Sequence, residues 1–318
     1  MTILVTGVAG FIGSHLTEQL LAIGHHVVGL DNFDNQYDPA RKRVNVCLFT
    51  EHPRFQFVAG DVRDQSLLTQ LFRQYTCDTV VHLAARTGVR ASVSEPGLCL
   101  DVNVNGTLSL LEAMRTTGVN RLVMASSSSV YGNSASVPFR EDDEANRPLS
   151  PYAMSKRSAE LLAHTYHHLY GFDVACLRFF TVYGPRQRPE MAISQFTANM
   201  CGGVPITLFG DGSSARNYTY VQDTVAGIIR AVDQLKGFDL LNIGGVASVS
   251  LYELVGLIEE AVGRKAIINW QPAQPGDVNL TCADLHYASN RIGYLPSVQI
   301  EQGIGRYVNW YKQTKLYR

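Results

Sequence analysis

Ile3-Leu4-Val5-Thr6-Gly7-Val8-Ala9-Gly10-Phe11-Ile12-Gly13 is the stretch that decides the fold. A short apolar run enters three glycines spaced Gly-x-x-Gly-x-x-Gly and leaves in a helical apolar pattern near 11 to 23, which reads as strand, tight turn, helix. Glycines at such a turn let the backbone approach a diphosphate closely. The helix that follows directs unpaired N–H groups and its positive dipole end at the same anion. Gly7, Gly10, Phe11, Ile12 and Gly13 are therefore candidate cofactor-binding residues. The spacing departs from the Gly-x-Gly-x-x-Gly of most dinucleotide folds, and a glycine triplet alone also fits an ordinary tight turn.

Two signals downstream favour the dinucleotide reading. A second apolar run, His26-Val27-Val28-Gly29-Leu30, ends at Asp31, where an acidic group accepts hydrogen bonds from the adenosine ribose. A ribose 2′-phosphate would be repelled by Asp31, and no basic residue follows until Arg41, so NAD is expected rather than NADP. Gly60-Asp61-Val62 follows the run Phe55 to Ala59, placing Asp61 and Val62 to meet the adenine edge; a plain strand-end turn is the other reading.

Apolar runs near 2 to 6, 26 to 30, 55 to 59, 78 to 84, 121 to 126 and 173 to 179 alternate with helical patterns near 11 to 23, 64 to 75, 98 to 117 and 151 to 170. Such alternation predicts an α/β fold, a Rossmann-type doubly wound parallel sheet. Beyond residue 180, glycine and proline pairs punctuate shorter elements, which predicts a smaller C-terminal substrate-binding lobe. The expected division is a dinucleotide-binding domain over 1–180 with a returning segment at about 220–262, and a lobe built from 181–219 and 263–318.

Near the middle stands Ser150-Pro151-Tyr152-Ala153-Met154-Ser155-Lys156. Ser150 suits a helix cap and Pro151 the first helical position, and residues four apart share one helical face. A phenol with a reference pKa of about 10 is a poor base at neutral pH, but an ammonium beside it favours the phenolate. Tyr152 could then accept a hydroxyl proton. By itself Tyr-x-x-x-Lys also describes a packed tyrosine and a solvated lysine on an amphipathic helix.

The 318 residues carry a net charge of −1 and a pI near 6.7, with no sign of a nucleic-acid partner. No stretch reaches the roughly 18 apolar residues of a membrane span, and the first residues enter a strand at once without a signal-like lead, so a cytoplasmic protein is expected. The six cysteines lack Cys-x-x-Cys pairs, which suits reduced, buried thiols. His164 and His168 lie four apart with no third ligand near in sequence. They are expected on the surface or at a subunit interface, and no metal is expected.

Over essentially its whole length the chain resembles the extended short-chain dehydrogenase/reductases that act on nucleotide sugars. The resemblance is carried by Thr6-Gly7-x-x-Gly10-Phe11-Ile12-Gly13, Asp31, Gly60-Asp61-Val62, His82-Leu83-Ala84-Ala85, Asn103-x-x-Gly106-Thr107, Ser126 to Gly132 and Pro151-Tyr152-x-x-x-Lys156. It implies that Tyr152 is the acid/base, that Lys156 also bonds the nicotinamide ribose, and that Ser127 bonds the reacting sugar oxygen. It further implies that Asn32, Leu83, Ala84, Ala85, Arg86, Thr87, Asn103 and Phe180 belong to the NAD site. A homodimer formed through the helices near 98 to 117 and 151 to 170 is also implied.

Relatives that dehydrate nucleotide sugars carry Thr-Asp-Glu where this chain has Ser127-Ser128-Ser129, and the missing acids argue against dehydration. Thr181 in Arg178-Phe179-Phe180-Thr181-Val182-Tyr183-Gly184-Pro185, where UDP-glucose epimerases usually have Asn, and Gln274 before Pro275-Gly276-Asp277 are similar to the UDP-glucuronate 4-epimerases. So are Asn32-Phe33-x-x-x-Tyr37-Asp38-Pro39 and Arg188-Pro189-Glu190-Met191-Ala192. The resemblance implies oxidation at C4, rotation of the keto sugar and return of the hydride to its other face. The uronate intermediate is a β-keto acid prone to lose CO₂, so its carboxylate must be held. Ser128, Thr181 and Arg188 are the expected donors, and Arg90 is a further pocket candidate. Phe209 to Asp223 resembles the UDP segment, with Arg216 on the diphosphate and Asn217 where the family usually has Asp. Asp277 is expected to meet the ribose or base, or to steer Arg216. Three other readings remain open: decarboxylation of UDP-glucuronate, 4-epimerisation of UDP-glucose or UDP-GlcNAc, and a non-catalytic NAD sensor.

Overall fold

A computed structural model describes residues 1–134, 136–272 and 280–314. Strands β1 (Thr2–Thr6), β2 (His26–Asp31), β3 (Phe55–Ala59), β4 (Thr79–His82), β5 (Arg121–Ser127), β6 (Asp173–Phe179) and β7 (Phe238–Ile243) form one sheet in the order β7-β6-β5-β4-β1-β2-β3. Every pairing is parallel. From β1 the chain runs outward through β2 and β3, then returns to the other side through β4. The order therefore reverses between β1 and β4, and a crevice opens beyond the carboxyl ends of these strands.

The strands alternate faces with period two. Ile3 and Val5 pack with Leu16 and Leu20 of α1 (Phe11–Ala22), whereas Leu4 faces the opposite layer with Leu68 of α3 (Gln65–Tyr75). Between these helices lies α2 (Pro39–Cys47). That opposite layer also contains Leu110 and Met114 of α4 (Gly106–Thr117) and Ala159 and Ala163 of α5 (Pro151–Tyr170). Ser150 caps α5 by accepting the Ala153 N–H at 3.1 Å, and Gly171 ends the helix in the left-handed conformation.

A third apolar cluster builds the lobe from Phe196 and Met200 of α6 (Ala192–Gly202), Leu254 and Ile258 of α8 (Leu251–Val262), and Ile304 and Tyr307 of α9 (Ile300–Gln313). Between α6 and α8, α7 (Val221–Gln234) returns to the sheet and packs Val225 and Ile228 beside α1. Within the segment 220–262, α7 and β7 pack with the sheet, whereas α8 turns its apolar side to the third cluster. Conversely, the helix His286–Ile292, expected in the lobe, packs Ala288 and Ile292 into the cluster beneath α7.

Near residue 100 the single expected helix is broken into Pro96–Leu100, a π-helical turn at Asp101–Asn105, and α4. The widened turn aims Asn103 sideways, where its amide donates to Arg86 O and Ser155 Oγ, both at 2.9 Å, while its oxygen accepts the Arg86 N–H at 2.8 Å. Arg86 consequently finds its backbone partners on this side chain. The fourth strand ends at His82, two residues before the apolar run ends.

Below the crevice, Glu160 of α5 and Arg178 of β6 are each 1% exposed. Glu160 accepts two bonds from Arg178, at 2.9 and 3.0 Å, one from Arg157 at 2.9 Å and one from Ser126 at 2.5 Å. Arg178 also lies 4.7 Å from the Tyr131 ring centroid. Removing one partner from such a pair strands a buried charge, so Arg178→Met should lower unfolding free energy by about 3–5 kcal/mol, measured by urea denaturation.

Candidate active site

The crevice holds a cavity of about 450 Å³ that runs from the glycine turn of β1 to the first turns of α5. Gly7 has φ +72°, and a Cβ there would lie 2.8 Å from Ala84 N; a Cβ on Gly13 would lie 2.2 Å from Gly7 O. Neither position has room for a side chain. The first helical bond of α1 runs from Ser14 N to Gly10 O at 3.0 Å, so the N–H groups of Phe11, Ile12 and Gly13 precede the helical ladder. All three residues line the cavity, as an anion site requires.

At the β2 end, Asp31 is buried and accepts the Ala9 N–H at 3.0 Å and the Phe33 N–H at 2.8 Å. Burial pushes its carboxyl pKa up, and the attraction of Lys42 opposes that rise. Lys42 is one residue that sequence reasoning missed. Counting along the chain found no base before Arg41, but Asp38 caps α2 at Ala40 and Pro39 begins it, so the helix folds Lys42 back into the cavity wall. Burial lowers the Lys42 pKa, and its ammonium lies 5.0 Å from the Tyr37 ring centroid. The Asp38-Pro39 helix-start signature was the available clue.

Asn32, Asp61, Val62, Leu83, Ala84, Ala85, Arg86, Thr87 and Phe180 all line the cavity. Asp61 accepts from Asn32 at 2.9 Å and pairs with Arg63 at 2.7 Å; the Arg63 hydrogen bond chiefly lowers its pKa to about 2. Asn103 is different. It is buried behind the wall, where its amide holds the backbone of Arg86 rather than facing the cavity. Asp34, Gln36, Gln187 and Met191 line the cavity without having been anticipated.

At the α5 end, Ser127, Ser128, Tyr152, Lys156, Thr181 and Arg188 converge on the same space. Lys156 donates to Ala125 O at 2.9 Å, and burial lowers its pKa to about 8. Burial raises the Tyr152 pKa, while Ser127 and then Arg188 pull it down. Lys156 shares the helical face with Tyr152, and Arg188 adds a second positive charge near the phenol that the spacing did not reveal. The Arg188 guanidinium is 2.6 Å from Glu190 Oε1 and 3.4 Å from Met191 Sδ.

Two expected substrate residues lie off the cavity wall. Arg90 stands 5.0 Å from the Phe209 ring centroid, and Arg216 donates to Ala215 O at 3.0 Å. Asp277, with the Gln274 to Val278 motif, lies outside the described residues. His164 packs edge-on against Phe238 at 4.9 Å, and among the described residues no three metal-ligating side chains cluster. The six thiols are free, but only Cys77, Cys99 and Cys176 are buried.

A glycine turn over a helix N-terminus, a buried acid at the end of β2 and a Ser-Tyr-Lys group in one crevice define the site of a dinucleotide-dependent enzyme of the short-chain dehydrogenase/reductase type. Residues 3–244 match the model of the NAD dependent epimerase/dehydratase family, and the chain belongs to that family. A UDP-glucuronate 4-epimerase of Thermodesulfobacterium geofontis is 42% identical over 312 residues, covering 98% of this chain and 96% of that one. The crystal structure of a Bacillus cereus UDP-glucuronic acid 4-epimerase in complex with UDP-glucuronic acid and NAD is similar with a TM-score of 0.93 at 37% identity, covering 98% and 99% of the two chains. A dTDP-glucose 4,6-dehydratase of Streptomyces venezuelae with NAD bound is similar at the same TM-score and 33% identity, covering 100% and 98%.

Tyr152→Phe removes one oxygen from the cavity wall and leaves the glycine turn untouched. Turnover should fall roughly 10²- to 10⁴-fold with NAD still bound, measured by steady-state assay alongside the NAD content of the protein.

Proposed function

We propose that the protein inverts C4 of UDP-glucuronate to give UDP-galacturonate, using tightly held NAD and no net oxidation. One observation carries this reading: Ser128, Thr181 and Arg188 share the cavity with Ser127, Tyr152 and Lys156, so donors for a carboxylate stand beside the acid/base group.

NAD, when bound, takes up a hydride from C4 and gives it back. The residues that would hold it are the first turn of α1 for the diphosphate, Asp31 for the adenosine ribose and Lys156 for the second ribose. Tyr152 accepts the C4 hydroxyl proton and later returns it, with Ser127 orienting the same oxygen. Ionisation of the phenol is favoured by Ser127 and Arg188 and opposed by burial. The 4-keto uronate loses CO₂ when its C5–C6 bond aligns with the carbonyl π system. Hydroxyls at Ser128 and Thr181 and the Arg188 guanidinium fix the carboxylate and favour its localised charge over the dispersed charge of decarboxylation. To do so, Arg188 exchanges Glu190 for the substrate. Arg216 and Asp277 are assigned to the UDP portion on the resemblance of their segments.

NMR of the product formed from UDP-glucuronate without added reductant tests the reading. UDP-galacturonate is expected; a UDP-pentose with CO₂, or faster turnover of UDP-glucose, would replace it with one of the competing reactions. Arg188→Ala should lower kcat/KM for UDP-glucuronate roughly 10- to 100-fold, the loss of a charge-assisted hydrogen bond of about 1.5–3 kcal/mol, and should raise the share of CO₂.

The same proposal includes a homodimer working in the cytoplasm. Leu108 of α4 and Leu161 and Leu169 of α5 are 39%, 53% and 60% exposed, apolar surface that a second copy of the two helices would cover. No helix among the described residues is long and apolar enough to cross a membrane. Leu161→Glu should convert a dimer to a monomer in analytical ultracentrifugation, whereas a monomeric parent protein would rule the dimer out.

A further inference from the structure

The sheet places β4, β1 and β2 side by side, so the loops that leave β4 and β2 stand on either flank of the glycine turn that leaves β1. These two loops are joined to each other. Arg86, after β4, pairs with Asp34, after β2, at 2.6 Å. Gln36, also after β2, donates to the carbonyl of Thr87 and accepts the Thr87 N–H at 3.3 Å. All four residues line the cavity, as do Gly7, Gly10 and Gly13 between them. The bonds between the two flanks therefore join the two sides of the crevice into which the turn opens.

Both ends of this crossing are built to stay in place. On the β4 side, Asn103 grips Arg86 through both its backbone N–H and its carbonyl, and Glu95 pairs with the outer guanidinium nitrogen at 2.5 Å. On the β2 side, successive side-chain turns fix the loop: Asn32 accepts the Asp34 N–H at 2.9 Å and Asp34 accepts the Gln36 N–H at 2.8 Å. Phe33 anchors the same loop, its ring 5.2 Å from that of Phe57. The Arg86 side chain is only 11% exposed, which shields its ion pair with Asp34 from solvent.

We propose that Asp34, Gln36, Arg86 and Thr87 form a strap that closes over the dinucleotide and makes it captive. A cofactor whose diphosphate lies on the first turn of α1 would pass beneath the strap and leave only after both crossings open. This deepens the proposed function, because a mechanism that borrows a hydride and returns it fails if the reduced cofactor escapes between the two steps. The strap contacts the chemistry only through retention of the cofactor, so its removal speeds release without removing the acid/base group.

The test is the release of labelled NAD⁺ from the full-length protein, chased with excess unlabelled NAD⁺ and without any sugar. Asp34→Asn keeps an acceptor for the Gln36 turn but discharges the pair with Arg86, and Gln36→Ala removes the other crossing independently. Each should speed release about tenfold or more, the effect of losing ~1.4 kcal/mol, and the double variant should exceed either. Glu95→Gln, which alters a partner of Arg86 off the crossing, should change release by less than about twofold. With UDP-glucuronate the two strap variants should stall as reduced cofactor is lost and recover when NAD⁺ is added. Release at the parent rate from both well-folded strap variants, judged by circular dichroism, would overturn the strap. The release assay involves no sugar, so a strap that holds in a protein inert toward UDP-glucuronate would leave this inference standing and remove only the proposed reaction.

Discussion

The backbone of Gly13 packs against the carbonyl of Gly7 with no space for a Cβ between them, and the functional architecture depends on that contact. It turns the chain from β1 into α1 so tightly that the free N–H groups of the helix open into the crevice. The parallel sheet then adds an acid at the end of β2, a serine at the end of β5 and the start of α5 around the same opening. Because the strand order reverses beside β1, all of these ends face a space left uncovered by either helical layer.

Electrostatics divides that space into two ends with different tasks. At the β2 end an acid and a lysine share a buried corner, and the Asp31 carboxylate is held by two backbone amides. At the α5 end the buried phenol of Tyr152 sits in the field of Arg188, while Lys156 is tied to the Ala125 carbonyl. Arg188 stands at the same end, its guanidinium paired with Glu190 at 2.6 Å. Beneath this end, the Glu160–Arg178 pair joins α5 to β6 and also holds Ser126, the neighbour of Ser127.

Local sequence patterns made much of this legible. Short apolar runs marked all six strands anticipated over the first 180 residues, because each strand's chemistry lies within a few neighbours. The Ser150-Pro151 cap was equally readable. Features that needed the third dimension were not. Lys42 reaches the cavity only because α2 folds back, and Asn103 reads as part of a continuous helix until the π turn aims it at Arg86. The packing of α8 with the lobe rather than the sheet depends on which of two apolar surfaces its amphipathic face meets, which periodicity cannot specify. Arg90 and Arg216 lie beside the site in sequence motifs but off its wall in space.

The proposed reaction requires containment, because the hydride taken from a sugar must return to that same sugar. The most direct measurement follows the hydrogen at C4. A mixture of UDP-glucuronate carrying deuterium at C4 and UDP-glucuronate carrying carbon-13 throughout the sugar is converted, and the products are weighed by mass spectrometry. The account predicts deuterium retained at C4 in the carbon-12 product alone, since each hydride returns to the molecule it left. Deuterium in the carbon-13 product, or its loss to water, would contradict it.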